Sequence, residues 1–340
     1  MSRWASSLCG AVVCALAVAA MARDYPMIGH DFRYFIPRLL DTLLHVRING
    51  WSIQWYTPTF GAGLPAYPNP QHLQYSIVQL MTLIVDPWIA VLATTVLAMA
   101  AGFVAAKVLL NKIGLTPAAS TLGALFFIGN GFYFEHMIVG HLGFQLFPLM
   151  PALLLLLVDR GHSAVANAAC AGLLVAAIVY HSGFQLMIII AISLVLTLLL
   201  VSASGLLAVD VRRVVSCATA GVAVALLIAA PKLYAVFALM RQFPRETADI
   251  YEAGIFQAFA GLLAQFGLVM AATPVMRIVG LDPIHLAGVL MRLTGASRRM
   301  GLWEVDTGVS PLLLILLVIG LAKVATRSWI AAAATKRWTW

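Results

Sequence analysis

The ionisable side chains best suited to chemistry stand at the ends of apolar stretches. Asp31, preceded by His30, follows the first apolar block, while Glu135 and His136 close the third block and His141 comes soon afterwards. A carboxylate placed in this way can act as a general base, and an imidazole can exchange a proton near neutral pH. The same side chains can bind a divalent cation, although their spacing matches no recognised zinc pattern. Each also has a structural alternative: Asp31 can cap a helix, and Glu135 can belong to an interface cluster.

Two cations near the end of the seventh apolar block, Lys232 and Arg241, are suited to binding an anion. A charge inside a membrane span is costly and usually faces protein or water. Lys232 can instead extend its ammonium group to the membrane surface and bind no ligand. His181, between the fifth and sixth blocks, is a weaker candidate for the same site.

These residues belong to a strongly apolar chain. Hydrophobic residues make up 62% of its 340 residues and charged residues only 10%, whereas a soluble protein has about 25% charged residues. The apolar blocks are roughly 20 residues long, which is the length of a helix that crosses a bilayer. The composition therefore predicts an all-α polytopic membrane protein. It excludes a soluble enzyme, a nucleic-acid-binding module and a disulfide scaffold.

We expect one membrane domain with about eight transmembrane helices, at 5–22, 88–111, 116–133, 144–159, 164–181, 183–201, 215–235 and 309–326. The fifth and sixth are so close that they predict a tight helical hairpin. The net charge of +8 reports orientation and not a nucleic-acid partner, since Lys and Arg concentrate in cytoplasmic loops. With the N-terminus inside, the cytoplasmic segments hold ten cations against two acids. This imbalance predicts a multi-pass protein of the cytoplasmic membrane with both termini in the cytoplasm.

The first block has a second interpretation, as a cleaved signal peptide. It has a short basic start and an apolar core, and Ala20-Met21-Ala22 resembles a cleavage site. The remaining topology is the same in both interpretations, because residue 23 onward stays outside.

Two predicted external segments, 23–87 and 236–308, are too long to be simple connectors. In the first, apolar residues recur with helical spacing and predict an amphipathic interfacial helix over 35–48. Pro37 is best tolerated in a first turn, so the helix is expected to start near residue 35. Its other face carries polar residues: Arg33, Arg38, Asp41, Thr42, His45 and Arg47. Asp41 is therefore expected to face water.

The order of features from Gly29 to Pro87 resembles the first periplasmic loop of the GT-C superfamily of integral-membrane glycosyltransferases, particularly its YfhO-like branch. The features are a membrane-edge aspartate, an amphipathic helix, aromatic residues, a Gly61-Ala62-Gly63-Leu64-Pro65 turn and Asn69-Pro70. Two further stretches support the resemblance, Gly140–Gln145 with Pro148 and Glu304–Gly308. Members of that family usually have more spans, so a short member, a fragment and an inactive relative all remain open.

The resemblance implies transfer of a sugar from a polyprenyl-phosphate donor to an acceptor on the outer face of the cytoplasmic membrane. It implies that Asp31 is the catalytic base. It also implies that His30, Glu135, His136 and His141 help to hold acceptor, phosphate or a divalent ion. Lys232 and Arg241 are then candidates for binding the donor phosphate. No organic cofactor is implied, a divalent cation is possible, and the expected partners are the lipid-linked sugar and membrane lipids. A transporter or flippase of a lipid-linked sugar and a non-catalytic assembly subunit are the alternatives.

Overall fold

The computed structural model describes residues 3–23, 25, 31–203 and 209–243. This part of the chain is mostly helical. Its α-helices are α1 (Arg3–Ala22), α2 (Phe32–Asn49), α3 (Ile77–Met81), α4 (Pro87–Lys112), α5 (Pro117–Ile128), α6 (Gly131–Val139), α7 (Met150–Val158), α8 (Ala164–Tyr180), α9 (Phe184–Ala203) and α10 (Val211–Gln242). One small antiparallel hairpin pairs β1 (Tyr56–Thr57) with β2 (Leu64–Pro65). His30, the predicted span 309–326 and most of the segment 236–308 lie outside the described residues.

Five stretches in the described part are long and apolar enough to cross a membrane: Trp4–Ala22, Pro87–Lys112, Pro117–Val139, Phe184–Ser202 and Val211–Gln242. They coincide with five of the eight predicted spans. Two more predicted spans correspond to shorter apolar helical stretches, Leu142–Val158 and Ala164–Tyr180. The predicted tight hairpin is confirmed, since only residues 181–183 separate α8 from α9.

Local capping explains where several of these helices begin. The Asp86 carboxylate accepts the N–H of Trp88 at 2.8 Å ahead of α4, and the Thr116 hydroxyl accepts the N–H of Ala119 ahead of α5. A proline follows each cap, where the missing N–H costs nothing. Asp210 caps α10 through the N–H of Arg213 at 3.1 Å. Each cap supplies an acceptor to a backbone donor at the helix start.

Polar contacts join these helices at two ends. At one end, Lys112, the last residue of α4, contacts Asp159 after α7 at 2.6 Å, and Arg213 of α10 donates to the carbonyl of Asp159 at 2.9 Å. At the other end, Tyr180 of α8 donates to the carbonyl of Ile228 of α10 at 3.0 Å. Between these ends, α8 and α10 pack closely because both contribute glycine.

The close packing of α8 on α10 depends on Gly172 and Gly221. A β-carbon at Gly172 would lie 2.6 Å from the carbonyl oxygen of Gly221. Small residues allow membrane helices to approach backbone to backbone. This contact fixes the position of α10, which carries Lys232.

Helix α2, which the sequence predicts to lie at the membrane interface, differs from its prediction in two respects. It begins at Phe32 and not near residue 35, and Pro37 lies inside it. A proline removes one backbone bond at this position, and burial of Phe32, Phe35 and Leu39 against the protein core offsets that loss. The apolar face is therefore divided: these side chains pack on the core, while an adjacent row of Leu40, Leu44 and Ile48 is exposed.

Candidate functional site

Asp31 lies where the start of α2 meets the end of α6. Its N–H donates to the carbonyl of Val139 at 3.0 Å, and its own carbonyl accepts the N–H groups of Tyr34 and Phe35, both at 2.9 Å. The backbone of Asp31 is therefore fixed on both sides. Its carboxylate does not cap α2. The side chain is 43% exposed and lies 3.3 Å from Nε2 of His141.

Gly140 makes this junction possible. It has a φ of +90°, in the left-handed region that favours glycine, and a β-carbon there would lie 2.6 Å from the backbone nitrogen of Phe32. A larger residue would push the start of α2 away from α6. Gly140 therefore positions Asp31 against His141, which follows it directly in the chain.

Three of the predicted site residues come together here. The rings of His141 and His136 have centroids 5.2 Å apart, and the His136 ring lies 4.1 Å from that of Phe144. Asp31, His141 and His136 thus form a row that runs from the surface into the protein, since His136 is buried. Hereafter this row is called the Asp31 site.

A third span that ends near residue 133 would put Glu135 and His136 in an external loop. The structure instead has both residues within a helix. Helix α6 continues to Val139, and both side chains are buried within it. The spacing of apolar residues did not reveal that the helix continues past residue 133, because α6 is apolar on either side of the pair. In the described part of the chain, no three His, Cys, Asp or Glu side chains are grouped closely enough to hold a metal ion.

Lys232 is far from extending to the membrane surface, because it is fully buried. Its Nζ donates to the carbonyls of Tyr67 at 2.7 Å, Asn69 at 2.9 Å and His72 at 3.1 Å. A lysine ammonium has three donors, so all of them are used by the backbone of the segment between α2 and α4. Arg241, in the last turn of α10, is exposed.

Asp41 does not face water freely, contrary to its predicted place on the wet side of α2. Its carboxylate accepts hydrogen bonds from Nε2 of Gln54 at 2.7 Å, Oγ1 of Thr57 at 3.0 Å and Oγ1 of Thr59 at 2.7 Å. These donors all belong to the segment that follows α2. Asp41 therefore anchors that segment to the helix.

His181 is likewise a core residue. It is fully buried, and its Nε2 lies 2.7 Å from Oε1 of Gln145. The Gln145 amide nitrogen donates to the carbonyl of Val91 at 2.7 Å and to Oγ1 of Thr95 at 2.8 Å. Since the amide oxygen is the acceptor, His181 is the donor in its bond to Gln145. This network links α4 to the α8–α9 hairpin and does not reach the Asp31 site through any of these contacts.

The sequence analysis gave no role to Arg38, although it lies on α2, the helix that Asp31 immediately precedes. Its guanidinium carbon lies 3.4 Å from the centroid of the Tyr34 ring and 4.8 Å from that of Phe60. The available signal was the spacing: Asp31, Tyr34 and Arg38 follow one another at about one helical turn each.

No protein-family model, no curated protein and no solved structure matches this chain.

Proposed function

We propose that the chain is a membrane glycosyltransferase that moves a sugar from a polyprenyl-phosphate donor to an acceptor at the outer face of the cytoplasmic membrane. The observation that carries the proposal is the state of Asp31. Its backbone is fixed by three hydrogen bonds, whereas its carboxylate is 43% exposed and faces the imidazole of His141 at 3.3 Å. A rigidly mounted but accessible carboxylate is what a general base requires.

Sugar transfer requires two things of the protein: this base, and a group that stabilises the departing phosphate. The acceptor oxygen attacks the anomeric carbon, the bond from that carbon to the phosphate oxygen breaks, and polyprenyl phosphate leaves with the bonding electrons. Asp31 receives the proton of the acceptor hydroxyl. His141 orients the carboxylate, and His136 lies behind its ring.

The depth of the Asp31 site fits a lipid-linked donor. Asp31 comes nine residues after Ala22, where the apolar helix α1 ends, and the next candidate span starts at Pro87. A lipid phosphate lies at the same level, at the edge of the hydrocarbon. The exposed apolar row Leu40, Leu44 and Ile48 supports contact with membrane lipids on this side.

The charges at the two ends of the described helices support an outer location for Asp31. The end opposite to Asp31 has five cations, Lys107, Lys112, Arg160, Arg212 and Arg213, against Asp159 and Asp210. Cytoplasmic ends carry such an excess. We therefore place that end, and the N-terminus, in the cytoplasm. Cysteines introduced at Pro58 and at Gly161, in a background without other cysteines, should label from opposite sides of the membrane.

A transporter of a lipid-linked sugar is the second candidate, and one observation favours it. The third predicted span is broken between α5, which ends at Ile128, and α6, which begins at Gly131. Interrupted helices are common around transporter binding sites. We favour the enzyme because the accessible Asp31 carboxylate, 3.3 Å from His141, supplies the general base that sugar transfer needs.

The deciding experiment uses the purified full chain in proteoliposomes with polyprenyl-phosphate sugars labelled in the sugar. Candidate donors come from mass spectrometry of glycolipids and surface glycans in cells with and without the gene. The enzyme should move label to an acceptor and release polyprenyl phosphate. Movement of intact donor across the bilayer without sugar transfer would replace the enzyme with the transporter.

A further inference from the structure

The guanidinium of Arg38 is held in place before any ligand is present. It lies between the rings of Tyr34 and Phe60, and its Nη1 donates to the carbonyl of Tyr34 at 2.9 Å. Stacking on aromatic faces is a favoured environment for the planar guanidinium. The hydroxyl of Tyr34 in turn accepts the side-chain amide of Asn69 at 3.2 Å, which ties this ring to the segment that Lys232 binds.

Phe60 reaches Arg38 through an unusual backbone conformation. Its φ is +68°, in the left-handed region that non-glycine residues rarely adopt. The following Gly61 also has positive φ, at +82°. Such strain persists only where surrounding structure imposes it, and it is common at binding sites. Here the strained turn places a ring against a cation.

The charge of Arg38 has no ion-pair partner in the part of the chain that the structure describes. No carboxylate there lies within 4.0 Å of its guanidinium. The closest acid along the helix, Asp41, is occupied by three donors from Gln54, Thr57 and Thr59. Partial burial lowers the pKa of Arg38, and the group remains a cation at neutral pH. The nearby charge of Asp41 still favours the charged form of Arg38, but no described carboxylate contacts its guanidinium. A half-buried, oriented cation with no contacting carboxylate is suited to an anionic ligand.

The position of this cation relates it to Asp31. The side chain of a helical residue leans towards the N-terminus of its helix, and the guanidinium accordingly lies over Tyr34. Tyr34 lies about one helical turn after Asp31, so the guanidinium lies about one turn along α2 from the residue that carries the carboxylate. A cation and a base on neighbouring turns of one helix start are placed to act on one donor molecule.

We propose that Arg38 binds the phosphate of the lipid-linked donor, a role that rests on the proposed function. Lys232 and Arg241 are the cations that the sequence favoured, but Lys232 has all three donors filled by carbonyls. Arg38 retains several of its five N–H donors, which can form two parallel bonds to one phosphate group. The shared chemistry is a phosphate ester or a free phosphate.

The test measures binding of farnesyl phosphate to the purified full chain, without any transfer step. Arg38→Gln should weaken binding about 10- to 100-fold, which is the loss of a charge-assisted hydrogen bond. Arg33→Gln is the matched control, because Arg33 is exposed on the same helix and should bind as the wild type does. Asp31→Asn should bind farnesyl phosphate at least as tightly as the wild type, because it removes a negative charge near the phosphate, so that failed binding and failed catalysis remain distinguishable.

Inorganic phosphate and phosphatidylglycerol vesicles form the other arms of the test. If binding of farnesyl phosphate depends on Arg38, the ligand is the lipid donor. If binding of inorganic phosphate depends on Arg38 to the same degree, the ligand is a free phosphate. Dependence only on phosphatidylglycerol would overturn the donor assignment. Equal affinity of wild type, Arg38→Gln and Arg33→Gln for all three would overturn the site.

A measurement on the unaltered chain covers the case in which Arg38→Gln does not fold. Phenylglyoxal modifies arginine side chains, and peptide mass spectrometry reports each arginine separately. Farnesyl phosphate should slow modification of Arg38 and leave that of Arg33 and Arg47 unchanged. Unchanged modification of Arg38 at saturating farnesyl phosphate would contradict the proposal.

Discussion

Asp31 immediately precedes α2 and Asp41 lies within it, and the two carboxylates have different surroundings. Asp41 accepts three side-chain hydrogen bonds from Gln54, Thr57 and Thr59. Asp31 accepts none from its own helix and lies 3.3 Å from the His141 ring. A carboxylate whose acceptors are filled holds a structure together, whereas an accessible one on a fixed backbone is available to a ligand.

The cations of the same region divide in the same way. Lys232 is buried and donates to three backbone carbonyls, while Arg38 is stacked between two rings with donors to spare. The hydrogen-bonding groups of Asp41 and Lys232 thus hold the segment between α2 and α4 from within, and these two side chains with their partners are called the saturated interior. Asp31 and Arg38 are accessible beside it.

The largest expected loss of stability comes from Lys232→Met. Methionine has a similar length, so the change leaves the carbonyls of Tyr67 and His72 without the donor that Lys232 supplies, whereas the carbonyl of Asn69 keeps the N–H of His72 at 3.0 Å. Each such group costs about 1–3 kcal/mol, and we expect the free energy of unfolding to fall by about 3 kcal/mol or more. The readout is unfolding in detergent by a denaturant titration.

Lys112→Met is the control for that variant. Lys112 is 41% exposed and pairs with Asp159, and an exposed ion pair contributes less than about 1 kcal/mol. Equal losses in the two lysine variants would contradict the contrast between a saturated interior and an exposed surface.

His72 provides a pH test of the saturated interior. Burial, and then the charge of Lys232, lowers the pKa of His72 to about 3. The unfolded chain, with an ordinary histidine pKa near about 6.5, binds a proton that the folded chain excludes. Stability is therefore fully present above about pH 6.5 and falls as the pH is lowered from there towards 3. Between pH 7 and 5 we expect a loss on the order of 1–2 kcal/mol.

The His72→Gln variant isolates this contribution, because glutamine does not titrate and can still bond to Thr42, the partner of His72 at 3.2 Å. Its free energy of unfolding should depend less steeply on pH between 6.5 and 5 than that of the wild type. Identical pH slopes in the two proteins would show that His72 does not remain neutral in the folded chain.

The smallest effect is expected at the opposite end of the helices. Hydrogen bonds from Lys112 and then His162 hold the pKa of Asp159 below its usual value. Its stabilisation is present above about pH 4 and is lost as the pH falls below that. Because Lys112 and His162 are 41% and 77% exposed, Asp159→Asn should cost less than about 1 kcal/mol at pH 7. A loss as large as that of Lys232→Met would refute this ranking.

The sequence predicted the helices better than it predicted their partners. Blocks of apolar residues are a local signal, and five of the predicted spans coincide with long apolar helices. The start of α2 was misplaced because Pro37 was weighed as a local helix breaker. The packing of Phe32 and Phe35 on the core, which stabilises the longer helix, is a tertiary effect.

The side-chain roles were harder to predict because they depend on contacts between distant residues. The carbonyls that bind Lys232 are at least 160 residues away along the chain, and carbonyls leave no mark in a sequence. Asp31, His136 and His141 were named together from their positions at the ends of spans, and they do lie together. Arg38 was passed over because an arginine on the polar face of an amphipathic helix is ordinary, and only the strained turn at Phe60 sets it apart.

The most direct test compares Asp31→Asn with Asp41→Asn in both sugar transfer and unfolding. Asp31→Asn should lower the rate by about 10²–10⁴-fold, since it removes a positioned base. Its free energy of unfolding should change by less than about 0.5 kcal/mol. Asp41→Asn should lose about 1–2 kcal/mol, because its amide nitrogen faces donors, and should transfer sugar at near the wild-type rate while folded. Full transfer by Asp31→Asn, or greater loss of stability in Asp31→Asn than in Asp41→Asn, would contradict the account.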